Sequence, residues 1–441
     1  MSTEKRRFKT RVTLIVLGVG GLLAMVVGLP IYLNAEAAPL HPRPESAPSV
    51  AVAEPSQQWA AAVRRARQIT RASLAGQNLP GLSIAVGAGG DIVWSEGFGW
   101  ADVETRAPVT PETRFRIGTA STVLTSAAVG VLLEKDRLAL DDEIQTHVPQ
   151  FPRTQWPVTL RQLMAHVAGI GSDTEDDRPL SRQRCERPIG ALPQFADGSL
   201  MFEPGTEYRH SKYGWILVSA AIEAAGGQPF LAFMRDQVFR PLGMEGTDAE
   251  STTEENPEHI GEPSEDAPFL TLLQDVVFEP LGLGGKARST TGARLATFYV
   301  PGFGRDALLR HRLHVKPARN LSCYAGSMAF FSTPSDLVRF GLAIDSGKLL
   351  QPATARLLQA AQRLTSGKET GRGLGWDMQT VTFAGVPTQV VGHIADAASN
   401  EKATMSLILF RERGIVVAVA SNASHADTSA VALQVAEAFA N

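Results

Sequence analysis

Residues 115–125 read Phe-Arg-Ile-Gly-Thr-Ala-Ser-Thr-Val-Leu-Thr and lead into an apolar stretch, a pattern that predicts a helix. Thr119 and Thr122 lie three positions apart within it. Residues with this spacing are neighbours on one face of a helix, so their side chains can touch. The stretch therefore predicts a pair of adjacent hydroxyl groups near the start of a helix.

Further segments follow residues 115–125 in a fixed order. They are Asp136–Asp142, Val158–Gly169, Phe202–Gly214, Arg240–Met244, Ala325–Leu337, Gly373–Trp376 and Gly392–His393. Together these segments resemble the class C β-lactamases and the related D,D-peptidases and esterases of the serine β-lactamase and penicillin-binding-protein superfamily. The resemblance extends from about residue 80 to residue 422. An ordered series of this kind is far more specific than one short motif.

The resemblance implies a serine at a helix start, a lysine one turn later to take its proton, a Tyr-x-Asn element across a cleft, and a Lys or His-x-Gly element on a strand. Here Thr119 stands at the serine position and Thr122 at the lysine position. Residues 210–212 (His-Ser-Lys) replace Tyr-x-Asn, and residues 393–395 (His-Ile-Ala) replace His-x-Gly. The candidate site residues are Thr119, Thr122, His210, Lys212 and His393.

Each substitution has a chemical cost. Thr119 keeps a hydroxyl, but its methyl group stiffens the side chain and crowds the path of attack. Thr122 cannot accept a proton at neutral pH, so the family's first base is missing. Ala395 adds a methyl group where strand and substrate approach, and Asp396 brings a carboxylate towards a developing oxyanion. These changes predict a pseudoenzyme with a binding or regulatory role, whose cleft still accepts peptide-like or ester-like ligands.

Two other functions remain open. One is an active esterase or peptidase that uses Thr119 as its nucleophile and Lys212 or His210 as its base. This alternative rests on an apparent exchange of lysine positions. The family's lysine is absent at position 122, and Lys212 stands where the family's asparagine would contact that lysine. The other is a structural protein whose cleft is filled by its own side chains.

Strand patterns occur near both ends of the region of resemblance, and helical patterns flank them. The strands are predicted at Gly81–Val86, Asp91–Trp94, Ala403–Phe410 and Ile415–Ala420, and the helices at 57–74 and 427–440. The resemblance implies an α/β (α+β) fold of the β-lactamase/transpeptidase type. In this fold an antiparallel sheet from both termini is flanked by helices, and a helical region from roughly 120 to 340 forms the other side of the cleft.

Two helix starts are marked by capping residues. Thr159 precedes Gln162 by three positions, and Thr333 precedes Asp336 by three positions with a proline directly after the threonine. A threonine hydroxyl in this position accepts a hydrogen bond from the backbone of the first helical turn. Both threonines are therefore predicted to be N-caps.

The N-terminus predicts a membrane anchor. Five basic residues between positions 5 and 11 precede an uncharged run over residues 12–33, which as a helix would extend roughly 33 Å. The positive flank predicts a cytoplasmic segment 1–11 and an extracytoplasmic remainder, on the periplasmic side of a bacterial inner membrane. Residues 34–55 are rich in Ala and Pro, which predicts a tether to a folded domain at 56–441. The alternative is a signal peptide cleaved at the Ala-Glu-Ala of residues 35–37.

The overall composition and the absence of certain motifs argue against several classes of binding partner. A net charge of −3 and a pI near 6.3 argue against nucleic acid. No metal-binding or phosphate-binding motif occurs in the sequence, so no cofactor is expected. Cys185 and Cys323 are too few for a disulfide-built scaffold and lack the spacing of a zinc site. Whether they form one bridge is left open by the sequence.

Overall fold

The computed structural model describes residues 39–171, 180, 183–249, 295–301, 313–316, 320–394 and 404–440. The predicted cytoplasmic segment 1–11 and the predicted anchor 12–33 lie outside the described residues. So do Ala395 and Asp396, which were predicted to disturb the oxyanion site.

One large antiparallel sheet is built from both ends of the domain. Its strands are β1 (Ser49–Ala51), β2 (Gly81–Ala88), β3 (Asp91–Asp102), β4 (Ala107–Pro108), β10 (Asp377–Phe383), β11 (Val386–His393), β12 (Met405–Phe410) and β13 (Ile415–Ser421). The spatial order is β1-β3-β2-β13-β12-β11-β10, with β4 paired to β3. N-terminal and C-terminal strands join where β13 pairs with β2. The predicted sheet from both termini is therefore confirmed.

The remaining strands are short. They are β5 (Phe115–Arg116), β6 (Asp248–Ala249), β7 (Tyr299–Pro301), β8 (Leu313–Val315) and β9 (Phe330–Ser332). Strands β5 and β6 both pair with β9, and β7 pairs with β8. The pairing of β5 with β9 lies directly before Thr119 and holds the chain that leads into it.

The α-helices that the structure describes include those that cover the two faces of the large sheet. They are α1 (Ala60–Gly76), α2 (Ser121–Leu133), α3 (Leu160–Met164), α4 (Lys212–Gly226), α5 (Phe230–Met234), α6 (Pro334–Asp345), α7 (Pro352–Gln359) and α8 (Thr428–Ala438). Helices α1 and α8 pack on one face of the sheet, and α6 packs on the other. The α/β (α+β) architecture is confirmed, with α2 to α5 inside the predicted helical region.

The apolar composition of β13 explains why the sheet is covered on both sides. Val417 and Val419 belong to the core beneath α1 and α8, whereas Val416 and Ala418 belong to the core beneath α6. Successive side chains of a strand point to opposite faces, so an entirely apolar strand needs a layer on each side.

Both predicted N-caps are confirmed. The Thr159 hydroxyl accepts a hydrogen bond from the Gln162 backbone, and the Gln162 side chain accepts one from the Thr159 backbone, which completes a capping box. The Thr333 hydroxyl accepts a hydrogen bond from the Asp336 backbone at 3.1 Å. Such caps satisfy amide groups that have no partner within the helix.

The predicted tether differs from the structure in part. Residues Ser49–Ala51 form β1 and pair with Phe98, Gly97 and Glu96 of β3. The His41 side chain is buried, with its Nε2 atom 3.2 Å from the carbonyl oxygen of Pro80. The prediction of an extended tether is wrong for these residues, because the exposed edge of β3 offers backbone partners that composition alone does not reveal.

Cys185 and Cys323 form a disulfide bond, with their α-carbons 4.7 Å apart. Both cysteines lie in a small buried cluster that includes Ile216 of α4 and Tyr324. The bond therefore links a segment that precedes α4 in the sequence to one that follows it, and both pack against α4, the helix whose first residue is Lys212. This settles the question that the spacing of the cysteines left open.

Within the described ranges, no single helix is both long and apolar enough to cross a membrane. Lys212–Gly226 and Phe230–Leu242 satisfy the length and composition together only as a pair bent by 76°.

Candidate active site

Thr119 lies in a short helical turn, Gly118–Ala120, that leads directly into α2. Gly118 has φ of +53°, a conformation that glycine adopts without strain, and it turns the chain from β5 into this helix. The Thr119 side chain is partly exposed. Its Oγ1 atom lies 3.5 Å from Nε2 of His393, at the end of β11. The structure thus brings together two of the predicted site residues.

Thr122 is buried one turn further along the helix. Its hydroxyl donates to the carbonyl oxygen of Thr119 at 2.9 Å and lies 3.4 Å from the carbonyl oxygen of Gly375. Gly375 has φ of +88°, and a Cβ atom there would lie 2.5 Å from the Trp215 ring, so only glycine fits this close approach. The Thr122 hydroxyl therefore contributes to packing between α2 and the 373–376 loop, and it offers no basic group.

Asp377 is a site residue that the sequence did not reveal. It lies opposite Gly392 in the pairing of β10 with β11, which brings its carboxylate beside His393. Asp377 Oδ2 is 3.6 Å from His393 Nδ1 and accepts a hydrogen bond of 2.9 Å from the backbone amide of Ile394. Arg372 forms an ion pair with the other oxygen, Oδ1. The carboxylate is thus held on both sides.

His393 lies between a hydroxyl and a carboxylate. Its side chain is only 17% exposed. Burial lowers the pKa of His393 below its ordinary value, the nearby Asp377 carboxylate raises it, and the Arg372 guanidinium lowers it. The net decrease leaves the ring neutral at neutral pH, and a neutral imidazole has one nitrogen that can accept a proton.

His210 stacks on a second buried histidine, His166, with their ring centroids 4.5 Å apart. Nδ1 of His166 lies 3.1 Å from the Ser211 backbone amide, and its Nε2 lies 3.2 Å from the Trp215 indole nitrogen. Burial lowers the pKa of His166 well below its ordinary value, and the charges of His210 and Arg372 act in the same direction. A neutral imidazole has one bare nitrogen, so it accepts one of these two hydrogen bonds at a time.

Lys212 is the first residue of α4, directly after the N-cap Ser211, whose hydroxyl accepts a hydrogen bond from Gly214. The Lys212 ammonium lies 5.9 Å from the centroid of the Tyr324 ring, within the range of a cation–π contact. In the described part of the chain, the side-chain hydrogen bond of Thr119 is made to His393, and no hydrogen bond joins Thr119 to Lys212 or His210. The predicted transfer of the base to position 212 or 210 has no such contact behind it.

Asp377, Arg372 and His166 lie at the site but were not predicted from the sequence. Asp377 directly follows the Gly373–Trp376 segment, so the resemblance located the segment but assigned no role to the residue after it. His166 lies within Val158–Gly169 and has φ of +59°, an uncommon conformation for a residue other than glycine. Among the residues that the structure describes, no group of three or more His, Cys, Asp or Glu side chains is arranged to hold a metal ion.

The profile of the beta-lactamase family matches residues 66–440 of this chain, which include the helix start, the 210–212 segment and the His393 strand. The chain belongs to the beta-lactamase family. Within this beta-lactamase family, the human mitochondrial serine beta-lactamase-like protein LACTB is 28% identical over an alignment that covers 37% of this chain and 42% of that protein. The chain therefore matches less than half the length of this curated relative.

Solved structures of beta-lactamase-like proteins share the fold. The octameric penicillin-binding protein homologue from Pyrococcus abyssi superposes with a TM-score of 0.62 at 21% identity, covering 86% of this chain and 77% of that one. EstCE1, a hydrolase with promiscuous acyltransferase activity, also gives a TM-score of 0.62, at 18% identity and with 86% and 99% of the two chains covered. The family match over residues 66–440 confirms the recognition of the superfamily from the sequence, and these structures agree with it in fold.

Proposed function

We propose that this protein is a membrane-tethered, extracytoplasmic member of the beta-lactamase family that binds a peptide-like or ester-like ligand and does not carry out the family's lysine-assisted acylation. The cleft is proposed to lie at Thr119 and His393, with His210 and Lys212 at its border. Its role is proposed to be binding or regulation.

The observation that carries this proposal is the environment of Thr122. The position where the family's lysine accepts a proton holds a hydroxyl directed at two backbone carbonyl oxygens. A hydroxyl that donates to carbonyl oxygens cannot take a proton from Thr119 at neutral pH. Family acylation therefore lacks its first step, while the partly exposed Thr119 and the imidazole beside it can still form hydrogen bonds with a bound carbonyl compound.

The ligand class is proposed from the family and its structural neighbours. EstCE1 is described as a hydrolase with acyltransferase activity, and the Pyrococcus abyssi protein as a penicillin-binding-protein homologue. A cleft inherited from such proteins fits a ligand with a carbonyl group in an extended chain.

The membrane tether is supported by residues 12–33 and the basic residues before them. The Cys185–Cys323 disulfide agrees with an oxidising, extracytoplasmic compartment. Cell fractionation of the full-length protein should recover it with membranes, and protease should reach the domain only from the extracytoplasmic side. A soluble chain beginning at Ala38 would contradict the tether.

Penicillin labelling tests the functional proposal. We expect the intact mass of the full-length protein in detergent to be unchanged after incubation with benzylpenicillin, because the family's proton acceptor for β-lactam acylation is missing at Thr122. An acyl-D-alanyl-D-alanine peptide should raise the midpoint of thermal unfolding in proportion to its occupancy of the cleft. A covalent penicilloyl adduct, or the absence of any shift with the peptide, would contradict the proposal.

A further inference from the structure

A hydroxyl, an imidazole and a carboxylate lie next to one another at the candidate site. Thr119 Oγ1 lies 3.5 Å from Nε2 of His393, and Nδ1 of the same ring lies 3.6 Å from Oδ2 of Asp377. We infer that these three side chains give the protein a further activity, the slow hydrolysis of activated carboxylic esters through an acyl-threonine intermediate. This activity goes beyond the ligand binding proposed above and does not require the family's lysine.

Asp377 is the positioning residue of this arrangement. Its Oδ1 is occupied by Arg372, and its Oδ2 accepts a hydrogen bond from the Ile394 backbone, so the carboxylate is fixed against the edge of His393. A carboxylate beside Nδ1 favours the tautomer that carries its hydrogen there. Nε2 is then the bare nitrogen, and it is the one directed at the Thr119 hydroxyl.

The environment of His393 suits it to accept a proton. Burial keeps the ring neutral at neutral pH by lowering its pKa, while Asp377 can stabilise the imidazolium that forms after proton transfer. The oxygen–nitrogen distance of 3.5 Å is long for a formed hydrogen bond. Such contacts are commonly long in ligand-free sites and shorten when substrate is bound.

Thr119 also has a backbone amide that can assist. This N–H lies in the turn that opens α2. An amide in this position can donate to the carbonyl oxygen of an ester as negative charge develops there.

The reaction balances with water as the second reactant. The Thr119 oxygen attacks the ester carbonyl carbon, and its proton passes to Nε2 of His393. The carbon–oxygen bond to the alcohol group breaks, the alcohol leaves with the proton from Nε2, and an acyl ester of Thr119 remains. Water then attacks that ester, gives a proton to Nε2, and releases the carboxylic acid as Thr119 recovers its proton.

The test uses p-nitrophenyl acetate, whose phenolate leaves without needing a proton, and the full-length protein in detergent. Thr119→Val and His393→Gln should each lower kcat/KM by about 10²-fold, the usual contribution of a nucleophile or base in such a site. Asp377→Asn should lower kcat/KM and also move the acidic limb of its pH profile to lower pH, because the Asp377 charge raises the pKa of His393.

A matched control exists elsewhere in the chain, where His147 Nε2 lies 2.8 Å from Asp142 Oδ2. His147→Gln and Asp142→Asn make the same chemical changes away from the cleft, and they should leave the rate unchanged. Mass spectrometry of the unsubstituted protein, quenched in acid during turnover, should place the acetyl group on Thr119. This measurement remains decisive even if the cleft variants fold poorly.

Equal rates in Thr119→Val and the parent protein would overturn the inference. Acetylation on Lys212, or hydrolysis by the parent no faster than by His393→Gln, would overturn it as well. A loss of rate in Asp377→Asn without movement of the pH profile would remove Asp377 from the positioning role.

Discussion

Two histidines at the candidate site, the buried His166 and the half-buried His393, differ in their surroundings. His393 faces the Thr119 hydroxyl on one side and the Asp377 carboxylate on the other. His166 faces the Ser211 amide and the Trp215 indole N–H, both hydrogen-bond donors, and stacks on His210. Burial lowers the pKa of both rings. The difference lies in what each ring nitrogen contacts.

The contacts of the two rings suit His166 to a structural role and His393 to proton transfer. Nε2 of His393 faces a hydroxyl that can lose a proton, and its Nδ1 faces an acceptor that stabilises the charged ring. His166 is enclosed by donors, so it holds the start of α4 in place and has no partner among these contacts that would stabilise its protonated form. The same type of side chain thus accepts a hydrogen bond at the start of α4 in one place and lies between a hydroxyl and a carboxylate in the other.

The largest expected effect is on the free energy of unfolding, through the disulfide bond that packs beside α4 near His166. Cys185→Ser with Cys323→Ser opens a loop of 138 positions, and the loop-entropy relation predicts a loss of ~3 to 5 kcal/mol in the free energy of unfolding. Chemical denaturation under non-reducing conditions measures this loss. Two reactive thiols in the unfolded, unreduced parent protein would contradict the bond itself.

The next effect distinguishes the two histidines directly. His166→Ala leaves the Ser211 amide or the Trp215 indole without an acceptor and removes a fully enclosed ring, so we expect a loss of about 2 to 4 kcal/mol. His393→Ala should cost less, since Asp377 keeps Arg372 and the Ile394 amide. Urea unfolding of both variants checks this order, and equal losses would remove the distinction.

Acid should destabilise the protein through both histidines. Their pKa values are lower in the folded state than the ordinary 6.5, so the unfolded chain binds more protons as the pH falls. The stabilisation is therefore present above about pH 6.5 and decreases below it, by at most about 1.4 kcal/mol per pH unit for each group. Unfolding free energies at pH 7.5 and pH 5.5 measure the loss, which should be smaller in His166→Gln. An identical pH dependence in that variant would assign the effect to other groups.

The smallest expected effect concerns the hydroxyl behind Thr119. Thr122→Val keeps the shape of the side chain and removes the hydrogen bonds to the carbonyl oxygens of Thr119 and Gly375, which predicts a loss of about 1 kcal/mol. Thermal unfolding of the variant tests it. Unchanged stability would mean that this hydroxyl does not couple α2 to the 373–376 loop.

Much of the fold was accessible from the sequence because its signals are local. The apolar run at residues 415–420, directly after the turn at 411–414, predicted β13, and the caps Thr159 and Thr333 predicted two helix starts. Residues 49–51 were assigned to a tether because a short strand at a sheet edge is stabilised by its neighbour, and composition contains no signal for that neighbour.

The site was accessible only in part. Thr119, Thr122 and His393 were located by motif order, and the structure places the first and last of them in contact. The predicted base at Lys212 or His210 rested on an apparent exchange of residue types. Such an exchange does not show where a side chain points or whether it can reach the Thr119 hydroxyl. Asp377 was missed because its role follows from the pairing of β10 with β11.

The sequence by itself determined the family, through the order of its segments, and with it the expectation of a sheet from both termini. It also determined the loss of a basic group one helical turn after Thr119, because that depends on spacing within a few residues. Only the tertiary structure decided which side chain faces Thr119, what holds that side chain, and whether the two cysteines meet. These contacts join segments far apart in the chain, and strand register and packing fix their distances after the local elements have formed.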